Sequence, residues 1–379
     1  MESESSFGNF ANRSSSKWRR FPADVLPMHV AEMDFEVAEP IRKKLSEMVA
    51  NSDLGYLGPL PEIAPAFADY ALDAWGWKIE QQGLKMATDV GVAAVEILRA
   101  VAQPGEQVLI NSPVYAAFFA WISEAGCVPA DAPLRLEGGR WELDLQAIEQ
   151  KYREGVKIHL LCSPQNPVGT VHTAQELTEL ARLADQYDVL VISDEIHAPL
   201  SWVPFTPYLA LGEAAERTGV TITSSSKAWN TAGLKAGFLI TQSDKVRQKL
   251  KRLPDAMQWR SSILGAFGMV TAFNEGRDWL EKTVERIQEN LNHLHQEISS
   301  QLPNAKLFEM ESTYLAWIDL SEYRIGDPQA VILKEGKVSL VPGQDHGGDQ
   351  YKDYVRFNFA SSKERITEAV RRMASVLEG

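Results

Sequence analysis

The stretch TITSSSKAWN, residues 221–230, decides how the fold is read. Together with Val220 it opens on a β-branched run, residues 220–223, of the kind that forms a strand buried on both faces. Three serines follow directly, so the strand ends in a turn, and that turn carries Lys227. A lysine at the end of a buried strand is costly unless it is used. A desolvated ammonium must find a partner or lose its proton. With its pKa lowered, such an amine is a nucleophile suited to Schiff-base chemistry with a carbonyl compound. Taken alone, the stretch also fits a solvated lysine on a serine-rich loop.

Working outward, residues 189–193 form another continuous apolar run, and residues 107–111, 157–162 and 236–240 read as further short strands. Residues 92–101 read as a helix. Thr173 followed by Glu176 predicts a helix start with a capping box, and Leu177, Leu180, Leu183 and Ala184 supply its apolar stripe. Strands alternating with helices predict an α/β fold: a mostly parallel sheet with helices on both faces. From about residue 255 the pattern changes. A charged helical segment at 278–302, short strands at 314–318 and 354–359, and a final helix at 362–377 predict a second, smaller α+β domain. The expected division is 1–39 as an N-terminal segment joining the small domain, 40–275 as the large domain and 276–379 as the small one. The first dozen or so residues are polar and expected to be loosely ordered.

The chain has 379 residues, of which 45% are hydrophobic and 23% charged, an ordinary globular composition large enough to shelter a ligand. A formal net charge of −13 argues against nucleic acid and against anionic membrane surfaces as partners, though not against a local basic pocket. The two cysteines, Cys127 and Cys162, form no CxxC pair, so neither a zinc site nor a disulfide framework is expected. Their scarcity fits a reducing cytoplasm. The stretch MESESSFGNF lacks a basic region followed by an apolar one, and residues 115–122 are too short an apolar run to span a membrane. GxGxxG, GxxxxGK[ST], HExxH and GxSxG patterns do not occur, which weakens nicotinamide, P-loop, zincin and hydrolase readings.

Three polar stretches follow predicted strands: SPQNPVGT (163–170), SDEIHAPL (193–200) and SSSKAWN (224–230). In an open parallel sheet, ligands bind outside the carboxyl ends of the strands. Asn166, Asp194 and Lys227 are therefore expected to converge on one crevice. Each has a plainer reading on its own. Asn166 before Pro167 suits a turn, Asp194 and Glu195 suit a cap, and His197 suits a satisfied core position. All three stretches at strand ends of one sheet favour a site.

The ordered set Asn166, Asp194, Lys227 and Arg356 (in VRFNFA) resembles the fold-type I pyridoxal-phosphate enzymes, the aspartate-aminotransferase superfamily, over nearly the whole chain. More closely, LPMHVAEMDF (26–35), SPVYAAF (112–118), DEIHAPL (194–200), SKAWNTAGLK (226–235) and STYLAWIDL (312–320) are similar to the MalY/PatB type of cystathionine β-lyase. The resemblance implies pyridoxal 5′-phosphate as cofactor. Lys227 would carry it covalently and then shuttle protons. Asp194 would pair with the ring nitrogen, Asn166 with the ring hydroxylate, and Tyr115 would stack on the ring. Gly91, Val92 and Ala93 would offer backbone N–H groups to the phosphate, with Ser224, Ser226 and Lys235 adding donors. His197 would support Asp194. Tyr56 would reach the phosphate of a neighbouring subunit, which implies a homodimer with shared sites. Arg356 would grip the substrate carboxylate, with Asn166 and Ala31 beside it.

Two positions depart from the pattern. Lys235 stands where many superfamily members have a phosphate-binding arginine. The loop PGQDHGG (342–348) carries Asp345 and His346 where smaller or aromatic residues are expected. The implied reaction is β-elimination from cystathionine or a related L-cysteine S-conjugate, giving a thiol, pyruvate and ammonia. An aminotransferase would need the same residues, and the branch motifs favour the lyase. A catalytically silent regulatory protein on the same fold is the third reading. Retention of Lys227, Asp194 and Arg356 argues against it.

Overall fold

The computed structural model describes residues 12–378. The expectation of loose order in the first dozen residues therefore lies almost wholly outside the described residues. A seven-stranded sheet forms the centre: β1 (Leu84–Ala87), β2 (Gln107–Ile110), β3 (Val128–Asp131), β4 (Ile158–Cys162), β5 (Leu190–Asp194), β6 (Gly219–Thr223) and β7 (Gly237–Ile240). Their spatial order is β1-β7-β6-β5-β4-β2-β3. Strands β6, β5, β4, β2 and β3 pair in parallel, while β7 runs antiparallel to both β6 and β1. Every residue of β4, β5 and β6 is buried, as expected for central strands covered on both faces.

The helices follow from local chemistry. Helix α1 (Glu39–Ala50) and α2 (Ile63–Trp75) precede the sheet, and α3 (Val90–Val101) follows β1. Helix α3 starts two residues before the sequence pattern suggests, because the Asp89 carboxylate accepts from Val92 N–H at 2.8 Å and caps it. Helix α4 (Ala174–Tyr187) has the expected box: Thr173 and Glu176 bond reciprocally, and Leu177, Leu180, Leu183 and Ala184 are buried. Helix α5 (Ile263–Glu275) closes the other side, where Phe67, Phe238 and Phe273 meet edge to face with centroids 4.8 and 5.0 Å apart.

A second, antiparallel sheet has the order β8-β9-β11-β10, made of β8 (Lys306–Leu307), β9 (Leu315–Asp319), β10 (Val341–Pro342) and β11 (Tyr354–Asn358). The long helix α6 (Arg277–Gln301) packs on the last helix, α7 (Lys363–Leu377). Helix α7 buries Ile366, Ala369, Val370 and Met373, a stripe at helical spacing.

An N-terminal segment joins the two sheets. Leu26–Pro27 pairs in parallel with Val338–Ser339. The buried Lys17–Asp34 ion pair at 2.8 Å, reinforced by Ser361 Oγ donating to Asp34, fixes the loop that carries Ala31. Asn358 in β11 holds the same loop through the carbonyls of Val30 and Glu32.

Candidate active site

Strand register brings the candidate residues together. Cys162 of β4 lies opposite Asp194 of β5, and Asp194 lies opposite Ile222 of β6. The three loops after those strands therefore leave the sheet side by side at its carboxyl edge. Between them is a cavity of about 270 Å³, lined among others by Ala31, Tyr115, Asn166, Asp194, His197, Ser226, Lys227 and Lys235. That is close to the lower end of the ~300–1,000 Å³ typical of small-molecule sites.

Lys227 sits at the cavity with its Nζ donating to the Ala31 carbonyl at 3.3 Å. Burial, followed by the nearby Arg356 charge, lowers its pKa to about 8. Asp194, the last residue of β5, accepts from Ile196 N–H at 3.1 Å through Oδ1. Burial raises its pKa to about 7, against the opposing pull of that hydrogen bond and of Lys227. Arg356 comes from β11, opposite Trp317 and Val341. Its Nη1 donates to Asn166 Oδ1 at 3.3 Å and its Nη2 to the His29 carbonyl at 3.1 Å, while Nε is buried without a partner. Because the Asn166 carbonyl oxygen is engaged with Arg356, its amide NH₂ is left to donate to something else.

Neither Lys227 nor Arg356 has a carboxylate ion-pair partner among the described residues. Burying two cations without counter-ions is expensive. A site built this way is suited to anionic ligands.

His197 lines the cavity with its Nδ1 unpartnered. Burial, then the Lys227 and Arg356 charges, hold it neutral. Among the described residues no hydrogen bond joins His197 to Asp194, whose Oδ1 is satisfied by Ile196 instead. Tyr115 is packed edge to face against Trp121 at 5.6 Å. Its position is set by a buried network. Gln165 Nε2 donates to the carbonyls of Asn111 and Pro113, and Asn111 Oδ1 bonds His159 Nε2 at 2.7 Å.

Several predicted site residues sit elsewhere or are already occupied. Ser224 does not face the cavity: its hydroxyl donates to the Ala236 carbonyl at 2.6 Å and accepts from Ser226 N–H, stapling the turn. Of Gly91, Val92 and Ala93, only Gly91 keeps an uncommitted N–H. Val92 N–H is taken by the Asp89 carboxylate, and Ala93 N–H by the Asp89 carbonyl in the first helical bond. Val90 and Gly91 are the residues of this turn that line the cavity. Lys235 is at the cavity, but its Nζ is ion-paired to Asp89 at 2.7 Å. Tyr56 is 95% exposed and lies in a separate surface depression with Leu54 and Trp259, themselves exposed. His346 does not form a pocket wall. It is fully buried, its Nδ1–H donates to the Val114 carbonyl at 2.8 Å, and its own carbonyl accepts from Val114 N–H. It thus ties the 342–348 loop to the segment carrying Tyr115.

Residues that sequence reasoning does not single out also belong to the site. Asp89, Cys162 and Trp121 line the cavity, and the Tyr314 hydroxyl donates to the Ala31 carbonyl at 3.0 Å. A signal exists for Asp89, which stands in N-cap position before the Val90 helix. No local signal reveals Tyr314, which meets Ala31 across 283 residues of sequence.

The carboxyl edge of the mostly parallel sheet presents a lysine of lowered pKa and a buried carboxylate, and Arg356 approaches from β11 through Asn166, an arrangement suited to a small anionic ligand with a carbonyl group. Residues 23–373 match the model for aminotransferase class I and II, and the chain belongs to that family. It is 33% identical to the cystathionine β-lyase of Corynebacterium glutamicum, with 97% of each chain covered. It is 30% identical to the cystathionine β-lyase PatB of Bacillus subtilis, with 93% of each covered. It superposes with a TM-score of 0.93 on the crystal structure of a candidate pyridoxal-phosphate-dependent β-cystathionase from Corynebacterium diphtheriae, 29% identical, with 98% of each chain covered. Among the described residues, no helix is long and apolar enough to cross a membrane.

Proposed function

We propose that this chain is a pyridoxal-phosphate-dependent carbon–sulfur β-lyase acting on L-cystathionine or a related L-cysteine S-conjugate. The observation that carries the reading is a pair of cations without ion-pair partners among the described residues: Lys227, which lines the cavity, and Arg356, which donates to Asn166 of the cavity lining. Kinship with the two named β-lyases supports elimination over amino transfer.

The residues fit the cofactor. Lys227 would hold its carbonyl carbon, Asp194 its ring nitrogen, the free Asn166 amide its ring oxygen and Tyr115 its ring face. The N–H groups of Val90 and Gly91, with Ser226 and Lys235, would hold its phosphate. When bound, pyridoxal phosphate supplies an electron sink for the electrons left on Cα. Arg356 would bind the substrate α-carboxylate and so orient Cα for the Lys227 amine. The Lys227 amine, made available by burial, takes the Cα proton as general base. Asp194 keeps a proton on the ring nitrogen through charge pairing. With sulfur on Cβ, the C–S bond breaks and a thiolate departs, a good leaving group since thiol pKa values are about 8.5. Hydrolysis of the remainder gives pyruvate and ammonia. Ala31, whose carbonyl accepts from both Lys227 and Tyr314, lines the cavity beside Lys227.

The same reading includes a homodimer in the cytoplasm, with exposed Tyr56 completing the partner's site, and a division into the large and small domains set out from the sequence. An aminotransferase is the second reading, supported by the family itself and by a 29% identity to the candidate aminotransferase YugH of Bacillus subtilis over 78% of this chain.

Incubation of the loaded protein with cystathionine and no 2-oxo acid separates the two. The lyase reading predicts stoichiometric pyruvate and free thiol. Amino transfer that appears only after a 2-oxo acid is added, with no thiol, would sink it. Within this site, Arg356→Ala should raise KM by about 10²-fold or more, the worth of a charge-assisted carboxylate grip, with a smaller fall in kcat. Initial rates over a substrate series measure the split, and an unchanged KM would remove Arg356 from substrate binding.

A further inference from the structure

We propose that Asp89 opposes binding of the cofactor phosphate, by holding the helix N-terminus and Lys235 in a charge-balanced pair at the place the phosphate must occupy. The inference rests on the pyridoxal-phosphate reading above. Asp89 is the N-cap of α3, and both it and Lys235 line the cavity. One carboxylate oxygen takes Val92 N–H at 2.8 Å and the other takes Lys235 Nζ at 2.7 Å. Two of the donors a phosphate would use are thereby satisfied by a protein carboxylate, and the charges of Asp89 and Lys235 cancel. Gly237 fixes the approach: a Cβ there would stand 3.2 Å from the Asp89 backbone, so strand β7 runs close against the cap.

The donors still free are the N–H groups of Val90 and Gly91, together with the Ser226 hydroxyl at the cavity wall. A phosphate seated on them lies one residue from the Asp89 carboxylate and gains no net attraction from Lys235, whose charge that carboxylate already offsets. Like charges at such spacing disfavour each other. The Lys235 side chain is 58% exposed and that of Asp89 33%, so screening keeps the effect at the modest end. Asp89→Asn removes the charge while keeping an N-cap acceptor of the same size.

The probes are pyridoxal phosphate and pyridoxal, which share the aldehyde and ring and differ in the phosphate. Each is titrated into the full-length protein freed of cofactor, with tryptophan quenching as readout, since Trp121 lines the cavity. Asp89→Asn should bind pyridoxal phosphate about tenfold more tightly, one pKa unit's worth of repulsion, with pyridoxal affinity unchanged. Unchanged pyridoxal affinity also shows that the variant is folded. Lys235→Gln should weaken pyridoxal phosphate binding alone. Equal or weaker pyridoxal phosphate binding by Asp89→Asn overturns the inference and leaves the cofactor reading standing. Failure of the native protein to bind either probe overturns the cofactor reading, and this inference with it.

Discussion

Lys227→Ala is expected to abolish turnover, lowering kcat/KM for a cysteine S-conjugate by at least about 10⁴-fold, and to remove the visible absorption band of the bound cofactor. The reason is chemical and positional. Lys227 stands on the turn after β6, faces the cavity, and has its amine made available by burial. Lys235, the other lysine at the cavity, is tied to Asp89 at 2.7 Å and cannot substitute. A pH dependence follows for the native protein. The folded pKa of Lys227 is about 8, below the ordinary 10.5, with burial the main cause. The ammonium predominates below about pH 8 and the free amine above it. Cofactor uptake by the stripped protein should therefore speed up as the pH rises through about 8. Stopped-flow absorbance measures this, and a rise seen only near pH 10 would show that Lys227 is not desolvated.

Asp194→Asn is expected to move activity and stability in opposite directions. On the proposed reading the carboxylate would stabilise a ring proton in the loaded enzyme, and an amide, carrying no charge, would not. Loss of such an oriented charge costs about 10²–10⁴ in kcat. In the cofactor-free protein the same carboxylate is a liability. Its pKa is raised from 3.8 to about 7 by burial. Between those values the unfolded chain loses the proton while the folded chain keeps it, so the folded state is progressively disfavoured as pH rises from about 4 to about 7. Above pH 7 the full cost is present. The asparagine variant lacks that cost. It should be more stable than the native cofactor-free protein by about 1–4 kcal/mol at pH 8, and no different near pH 4. Denaturant melts at the two pH values check it. A variant less stable at pH 8 would mean that Asp194 gains more from its surroundings than burial costs.

These expectations rest on residues that were unevenly legible in the sequence. Lys227, Asp194 and Asn166 each follow a short apolar strand, and the strand-end rule converts that local pattern into a shared location, as the register of β4, β5 and β6 bears out. Strands β1 and β3 are only four residues long and partly exposed, and carry little periodic signal. The reversal of β7 depends on pairing partners far along the chain. Arg356 reaches Asn166 across 190 residues and Tyr314 reaches Ala31 across 283, contacts that no window of sequence contains. Ser224 and Ser226 look alike in the sequence, yet the turn directs one hydroxyl into the Ala236 carbonyl and leaves the other residue at the cavity. His346 illustrates the same limit: the sequence marks it only as a departure from the family pattern, and packing makes it a staple to Val114.

On the proposed reading, the strand-end turn at 224–230 presents Lys227 as the covalent anchor of a cofactor site shared with Asp194, Asn166 and Arg356. Borohydride reduction of the loaded protein, followed by peptide mass mapping, tests it most directly. The account predicts a single pyridoxyl group, on the peptide containing Lys227. A label on Lys235 or on any other lysine, or none at all, would contradict it.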